Sequence, residues 1–355
     1  MQDSITGISI IPVKRARKGF HDAFKFDSLR NRYYTQGMVT TQQIQAAARV
    51  IAYSSVFGEL MDLYRTNTAN SRNRIPTVRE VDPILSPVIE GWSSCLPPLP
   101  RIPFGRTSIW REGMRGLKDT YLKNQLYQIL RDSESGRNVI VNPISVFGRH
   151  SRDLARALPA CEVISTDITS TWNTIFRHTS ARLFRATPNY RFVRESIYDP
   201  DVTRRPEAVV FFGACGSLTD ASIDYAVTVE SPILAARTCC LENIAGNTKM
   251  VKHWTLINIL FRMKNWEFSR YKKTGKDYYF SPFYNVNAYP RSQFARMTSN
   301  SDEFLRIAQD AVDNPLCREL INIDRCLHLE EHGYNVLYRQ ELFFAFKESE
   351  KGTAT

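Results

Sequence analysis

Several signatures are missing from this sequence, and each absence removes a class of chemistry. The seven cysteines (Cys95, Cys161, Cys215, Cys239, Cys240, Cys317 and Cys326) include no C-x-x-C pair and no Cys/His ligand spacing, which argues against a disulfide framework and a zinc site. No phosphate-binding P-loop, no G-x-S-x-G and no H-E-x-x-H occurs. Nucleotide hydrolysis, α/β-hydrolase chemistry and zinc proteolysis therefore lack support. The six histidines form no spaced ligand set, so no metal is expected. Long apolar runs are absent too, and the N-terminus lacks the basic-then-apolar pattern of a secretory signal. These features predict a soluble intracellular protein, placed in the cytoplasm, with no membrane partner.

What is present is a globular composition with a strong positive balance. The formal charge is +11, enough to steer polyanions toward the surface. The charge is unevenly spread. Residues 249–276 carry eight Lys/Arg against the single acid Glu267, a local balance of +7. Trp254, Phe261, Trp266, Phe268 and Tyr271 lie among them. Cations interleaved with rings suit phosphate contacts and base stacking, which makes Lys249, Lys252, Trp266, Arg270, Lys272 and Lys273 candidate nucleic-acid contacts, with RNA the candidate partner. The competing reading is an amphipathic helix, Val251 to Met263, with solvated lysines.

Three regions are expected along the chain. Residues 1–36 hold the basic cluster Lys14-Arg15-x-Arg17-Lys18 and read as an arm. Residues 37–135 read as helical. Ile44, Ala48, Ile51, Val56, Leu60 and Leu63 recur at helical spacing between Thr40 and Tyr64, and a second helix is expected over Ser108–Arg131. Between the two, seven prolines from Pro76 to Pro103 make a connector. Beyond Gly136 the texture changes to short β-branched runs (Val139–Val141, Glu162–Ser165, Arg191–Arg194, Ala208–Phe212, Ile233–Ala236). Helical segments around Ser151–Leu158, Thr171–Phe184 and Thr219–Val227 alternate with them. Such alternation predicts a doubly wound α/β sheet over 136–350, with the basic, aromatic segment 249–300 inserted. A helix ended by Gly333 and two closing strands over Asn335–Lys347 complete the pattern.

The order of these runs, and the Gly-Tyr-led final pair ending Leu-Phe-Phe-Ala-Phe-Lys347, resembles the class I S-adenosylmethionine (SAM) dependent methyltransferases over about 210 residues. Phe212-Gly-Ala-Cys-Gly-Ser-Leu-Thr-Asp220 and Ala236-Arg-Thr-Cys-Cys-Leu-Glu-Asn243 resemble a subgroup with paired A/L-C-G-x-L-x-D and C-C-H signatures that includes transfer-RNA methyltransferases; Leu241 stands in the His position. The resemblance implies a seven-stranded Rossmann-like sheet, SAM as cofactor, and methyl transfer to RNA or another nucleophile, a small natural product being the alternative substrate. A fold that has lost its cofactor and serves as a binding module is a further alternative.

The resemblance also assigns residues. The family's glycine-rich turn after the first strand falls on Asn142-Pro-Ile-Ser-Val-Phe-Gly148, where Gly148 alone keeps the pattern and Asn142, Ile144 and Val146 replace an acid and two glycines. Asp167, with Ile168 beside it, stands where a carboxylate holds the ribose hydroxyls, the competing reading being a cap for the next helix. Ser196 and Ile197 fall on the adenine-contacting stretch, and Gly213, Ala214 and Cys215 on the turn after the fourth strand. Asp220, Cys239, Glu242 and His253 are the candidate catalytic groups. For Cys239 a thiolate attack on a pyrimidine competes with a buried structural role.

Overall fold

The computed structural model describes residues 41–69, 83–84, 122–124, 126, 130, 138–145, 148–167, 187–214, 217–238, 290–311, 314–339 and 341–347. The chain divides into Met1–Ala48 and Arg49–Thr355, and the architecture below is that of the second unit. The Pro-rich connector, the helix expected over Thr171–Phe184 and the basic segment 249–276 lie outside the described residues, apart from Pro83 and Ile84.

Seven strands form one sheet: β1 Val139–Asn142, β2 Glu162–Asp167, β3 Tyr190–Arg194, β4 Ala208–Ala214, β5 Ile233–Thr238, β6 Asn335–Arg339 and β7 Leu342–Phe346. Their spatial order is β3-β2-β1-β4-β5-β7-β6. The neighbours from β3 through β5 are parallel. β7 runs antiparallel to both β5 and β6, between which it lies. This is the doubly wound sheet that the alternating pattern predicts, with the seven Rossmann-like strands that the resemblance implies. The central strands carry apolar runs, Val139–Val141, Ala208–Phe212 and Ile233–Ala236, because both faces are covered, and β5 is buried at every position.

Helices α2 (Arg149–Ala157) and α3 (Ser217–Thr228) are among those that alternate with the strands. On the α2 face, Leu154, Ala155 and Leu158 pack with Ile140, Val163, Val210 and Ala235, and helical Leu122, Leu126 and Leu130 join the same cluster. Leu122, Leu126 and Leu130 thus bring part of the second helix expected in the N-terminal region onto the sheet.

The helices that follow are started by short polar side chains, which satisfy first-turn N–H groups that have no partner inside the helix. Ser292 accepts from the Ala295 N–H at 3.1 Å to open α4 (Gln293–Thr298). Asn300 accepts from Glu303 N–H at 2.7 Å to open α5 (Ser301–Asp310). Asn314, followed by Pro315, accepts from Leu316 N–H at 3.0 Å to open α6 (Pro315–Glu331). Gly333, at φ 81°, ends that helix in a conformation that favours glycine.

α1 (Thr41–Ala69) runs five residues past the predicted end at Tyr64. Side chains extend it: Asn67 donates to the Leu63 carbonyl and Thr68 to the Tyr64 carbonyl, each at 2.8 Å. From Arg49 onward it covers the β6 end of the sheet. Tyr53 Oη donates to the Val336 carbonyl at 2.8 Å, and Glu330 accepts from the Val336 N–H at 2.9 Å. Both outward backbone groups of Val336 on this edge strand are thereby occupied, which blocks pairing with a foreign strand there. Arg49 Nε donates to Glu330 at 3.2 Å. Burial nevertheless dominates, pushing the Glu330 carboxyl from 4.5 up to about 7.

Candidate functional site

The strand order locates the crevice. From β1 the chain steps outward to β2 and then β3, and it returns to β4 on the other side of β1. Connections leaving the carboxyl ends of β1 and β4 therefore depart toward opposite faces and open a crevice between them, the usual ligand position in such sheets.

The turn after β1 is held by side-chain hydrogen bonds. Asn142 is buried; its Oδ1 accepts from the Ile144 N–H at 3.3 Å and its Nδ2 donates to Ser151 Oγ at 3.0 Å. Ser145 donates its backbone N–H to the Thr166 carbonyl at 3.2 Å, which ties the turn to β2. Ile144 is half-buried beside it. Gly148 precedes α2 at φ 64°, and a Cβ there would overlap Tyr190 Oη. Here the glycine is required twice over, by conformation and by space.

At the end of β2, Asp167 is buried. Its neighbour Thr166 is fully buried, and among the described residues its Oγ1 has no hydrogen-bond partner. A buried hydroxyl in that state costs free energy. After β3, Ser196 Oγ accepts from the Tyr198 N–H at 3.2 Å in a tight turn, and Ile197 is buried.

β4 ends in a bulge between Phe212 and Ala214. Gly213 within it has φ 76°, and the Arg237 guanidinium lies 2.9 Å from where a Cβ would stand. Thr219 donates to the Ala214 carbonyl at 2.7 Å and closes the following turn. His150, in the first turn of α2, stacks on Phe212 with ring centroids 4.8 Å apart.

Asp220, in the first turn of α3, accepts from Arg325 Nε at 2.7 Å; the two side chains are 14% and 1% exposed. Arg325 in turn donates to Asn322 Oδ1 at 3.1 Å, Asn322 to Tyr338 Oη at 2.8 Å, and Tyr338 to Glu319 at 2.7 Å. Beside this chain Asp324 receives the Arg291 and Ser292 backbone N–H groups and the Ser292 hydroxyl. Burial still pushes its carboxyl up to about 6, with Asp220 adding to the rise.

Asn142, Ile144, Gly148, Asp167, Ser196, Ile197, Gly213 and Ala214 therefore fall at or just beyond the carboxyl ends of β1, β2, β3 and β4. Ile168, Cys215, Cys239, Glu242 and His253 lie outside the described residues, as do Lys249, Lys252, Trp266, Arg270, Lys272 and Lys273. Among the described residues no group of three or more His, Cys, Asp or Glu side chains is placed to hold a metal ion, and no helix is long and apolar enough to cross a membrane. Sequence reasoning missed Arg237, Arg325, Thr166 and the serines around Asn142. Arg325 carried a signal: it stands four residues after Ile321 and four before Leu329, within an apolar stripe of α6.

No family model matches the sequence, and no curated protein matches it. Solved structures do. The antibiotic-resistance methyltransferase Kmr shares 13% identity over 64% of this chain and 93% of that one, with a TM-score of 0.31. The aminoglycoside resistance methyltransferase NpmB1 shares 14% over 63% and 93%, with a TM-score of 0.31. Magnesium protoporphyrin IX methyltransferase (ChlM) from Synechocystis PCC 6803, with bound SAH, shares 12% over 69% and 90%, with a TM-score of 0.34.

Proposed function

We propose that this protein is a SAM-dependent methyltransferase. The reading is carried by one observation: the segments that resemble the family's cofactor motifs fall on the carboxyl ends of β1 to β4, flanking the crevice that the strand order opens. The residues present fit the cofactor. Asp167 offers a buried carboxylate suited to a pair of ribose hydroxyls, and Ile197 supplies an apolar surface for the adenine ring. SAM supplies an electrophilic methyl group on sulfur. The chain's own task is to align an oxygen, nitrogen or carbon nucleophile with it and to accept the proton released. Glu242, His253 and Cys239 are the candidates for that work. Asp220 is already engaged by Arg325.

The test is a SAM titration followed by thermal shift and calorimetry. Specific binding is expected to raise stability by about 4 kcal/mol near 1,000 times Kd, and Asp167→Ala to weaken binding by about 1.5–3 kcal/mol. No shift at saturating SAM would leave a binding module as the reading.

The substrate reading is RNA, supported by the +7 segment 249–276 and its rings. Log affinity for a single strand should then fall with log salt by about 0.7 per phosphate contact. Lys272→Ala with Lys273→Ala should flatten the slope, and Trp266→Ala should cost about 1–3 kcal/mol without changing it. Salt-insensitive or negligible RNA binding would favour a small-molecule acceptor.

A further inference from the structure

The turn after β1 poses a physical problem. A loop that wraps a ligand closely needs either glycines, which reach unusual conformations without a side chain in the way, or another means of fixing one conformation. This loop keeps a glycine only at Gly148. In place of the others it has a connected set of small polar side chains drawn from four segments. Asn142 ends β1, Ser145 lies in the turn, Ser151 is in the first turn of α2, and Ser165 is in β2. All four are buried. Asn142 Nδ2 donates to Ser151 Oγ at 3.0 Å, Ser165 Oγ donates to Ser145 Oγ at 3.0 Å, and the Ser145 and Ser151 hydroxyls lie 3.4 Å apart. The Ile144 N–H donates to Asn142 Oδ1 and the Ser145 N–H to the Thr166 carbonyl, which fix the same turn through main-chain donors.

None of these groups is charged, so the set holds its geometry without a titrating member. Each polar atom in it meets another of similar size, so a buried network of this kind selects one arrangement of the loop over its alternatives. It also joins the turn to β2, whose next residues are Thr166 and Asp167. A shift of the turn would thus strain the segment that carries the cofactor carboxylate.

We propose that Asn142, Ser145, Ser151 and Ser165 form a hydroxyl lock that presets the β1–α2 turn for the amino-acid end of SAM, replacing glycine flexibility by side-chain hydrogen bonding. The proposal rests on the SAM reading above. It makes these four positioning residues, acting on the cofactor through the turn they hold.

The experiment compares two ligands by calorimetry on the full chain. SAM carries the amino-acid end; 5′-methylthioadenosine lacks it. Ser151→Ala removes the hydroxyl at the centre of the set and should weaken SAM about tenfold, the scale of one buried hydrogen bond, while leaving methylthioadenosine affinity unchanged. Ser222→Ala is the control for stability alone: its buried hydroxyl donates to the Leu218 carbonyl at 2.7 Å within α3, and it should lower the melting temperature without changing either affinity. Should Ser151→Ala not fold, Ser165→Ala tests the other end of the set by the same comparison. Equal SAM binding by the wild type and the variant would overturn the lock and leave the methyltransferase reading standing. Equal loss of both ligands would overturn it too, by showing a general structural effect. Failure of the wild-type chain to bind SAM would instead overturn the functional reading, and the lock with it.

Discussion

Two flanks of this sheet bury polar groups by opposite means. At the turn after β1 the means is small and neutral: an amide and three hydroxyls satisfy one another. Toward β6 it is large and charged: Arg325 pairs with Asp220, Arg49 with Glu330, and Tyr53 and Tyr338 complete the bonds. A neutral set depends on geometry alone, whereas a buried ion pair depends on both partners being present and correctly protonated. The hydroxyl set after β1 should therefore be indifferent to pH, and the far flank should not.

The comparison breaks most directly at Asp220. Asp220→Ala leaves the Arg325 guanidinium buried without its carboxylate, and urea unfolding should register a loss of about 3 kcal/mol. A cost below about 1 kcal/mol would mean that Asp220 is not structural and would return it to the catalytic candidates.

On the neutral flank the largest effect is steric. Gly148→Ala combines a left-handed backbone with an overlap on Tyr190, so denaturant unfolding should show a loss of about 2 kcal/mol. A smaller change falls on the far edge, where Tyr53→Phe deletes one hydrogen bond to Val336 and should cost about 1 kcal/mol by the same assay.

The subtlest test is a pH series. Glu330 is raised from 4.5 to about 7, so the folded protein keeps this proton to a higher pH than the unfolded chain does. The stability it contributes is complete below about pH 4 and is lost as pH rises through about 7. Asp324, raised to about 6, acts in the same direction. Glu330→Gln should flatten the melting-temperature profile between about pH 5 and pH 7. Ser165→Ala should lower that profile uniformly, and a change in its slope would contradict the neutral reading of that flank.

Much of the sheet was legible because its strands are short, β-branched and buried on both faces. The residues the sequence left out were strand ends. β2 continues through Asp167, β4 through the bulge to Ala214 and β5 to Thr238, since sheet pairing carries polar and small residues that local propensity does not favour. The same holds at the site. Asp167 and Gly148 stand out as candidates because their chemistry is visible in single residues. The Asn142–Ser151–Ser145–Ser165 set could not, because an asparagine and three serines scattered between 142 and 165 declare nothing until the fold joins them. Arg237 was hidden for a similar reason: a cation in a strand core is read as a strand end until Gly213 makes room for it.

The antiparallel placement of β7 also sets a schedule for biosynthesis. β7 follows every other strand in chain order, yet it lies between β5 and β6. While the ribosome still holds that segment, the β5 edge is exposed and β6 has no place in the sheet. The growing chain therefore carries an open strand of consecutive buried residues, Ile233–Thr238, until Leu342–Phe346 has emerged, and that nascent edge is where a chaperone or an aggregating neighbour would first find purchase.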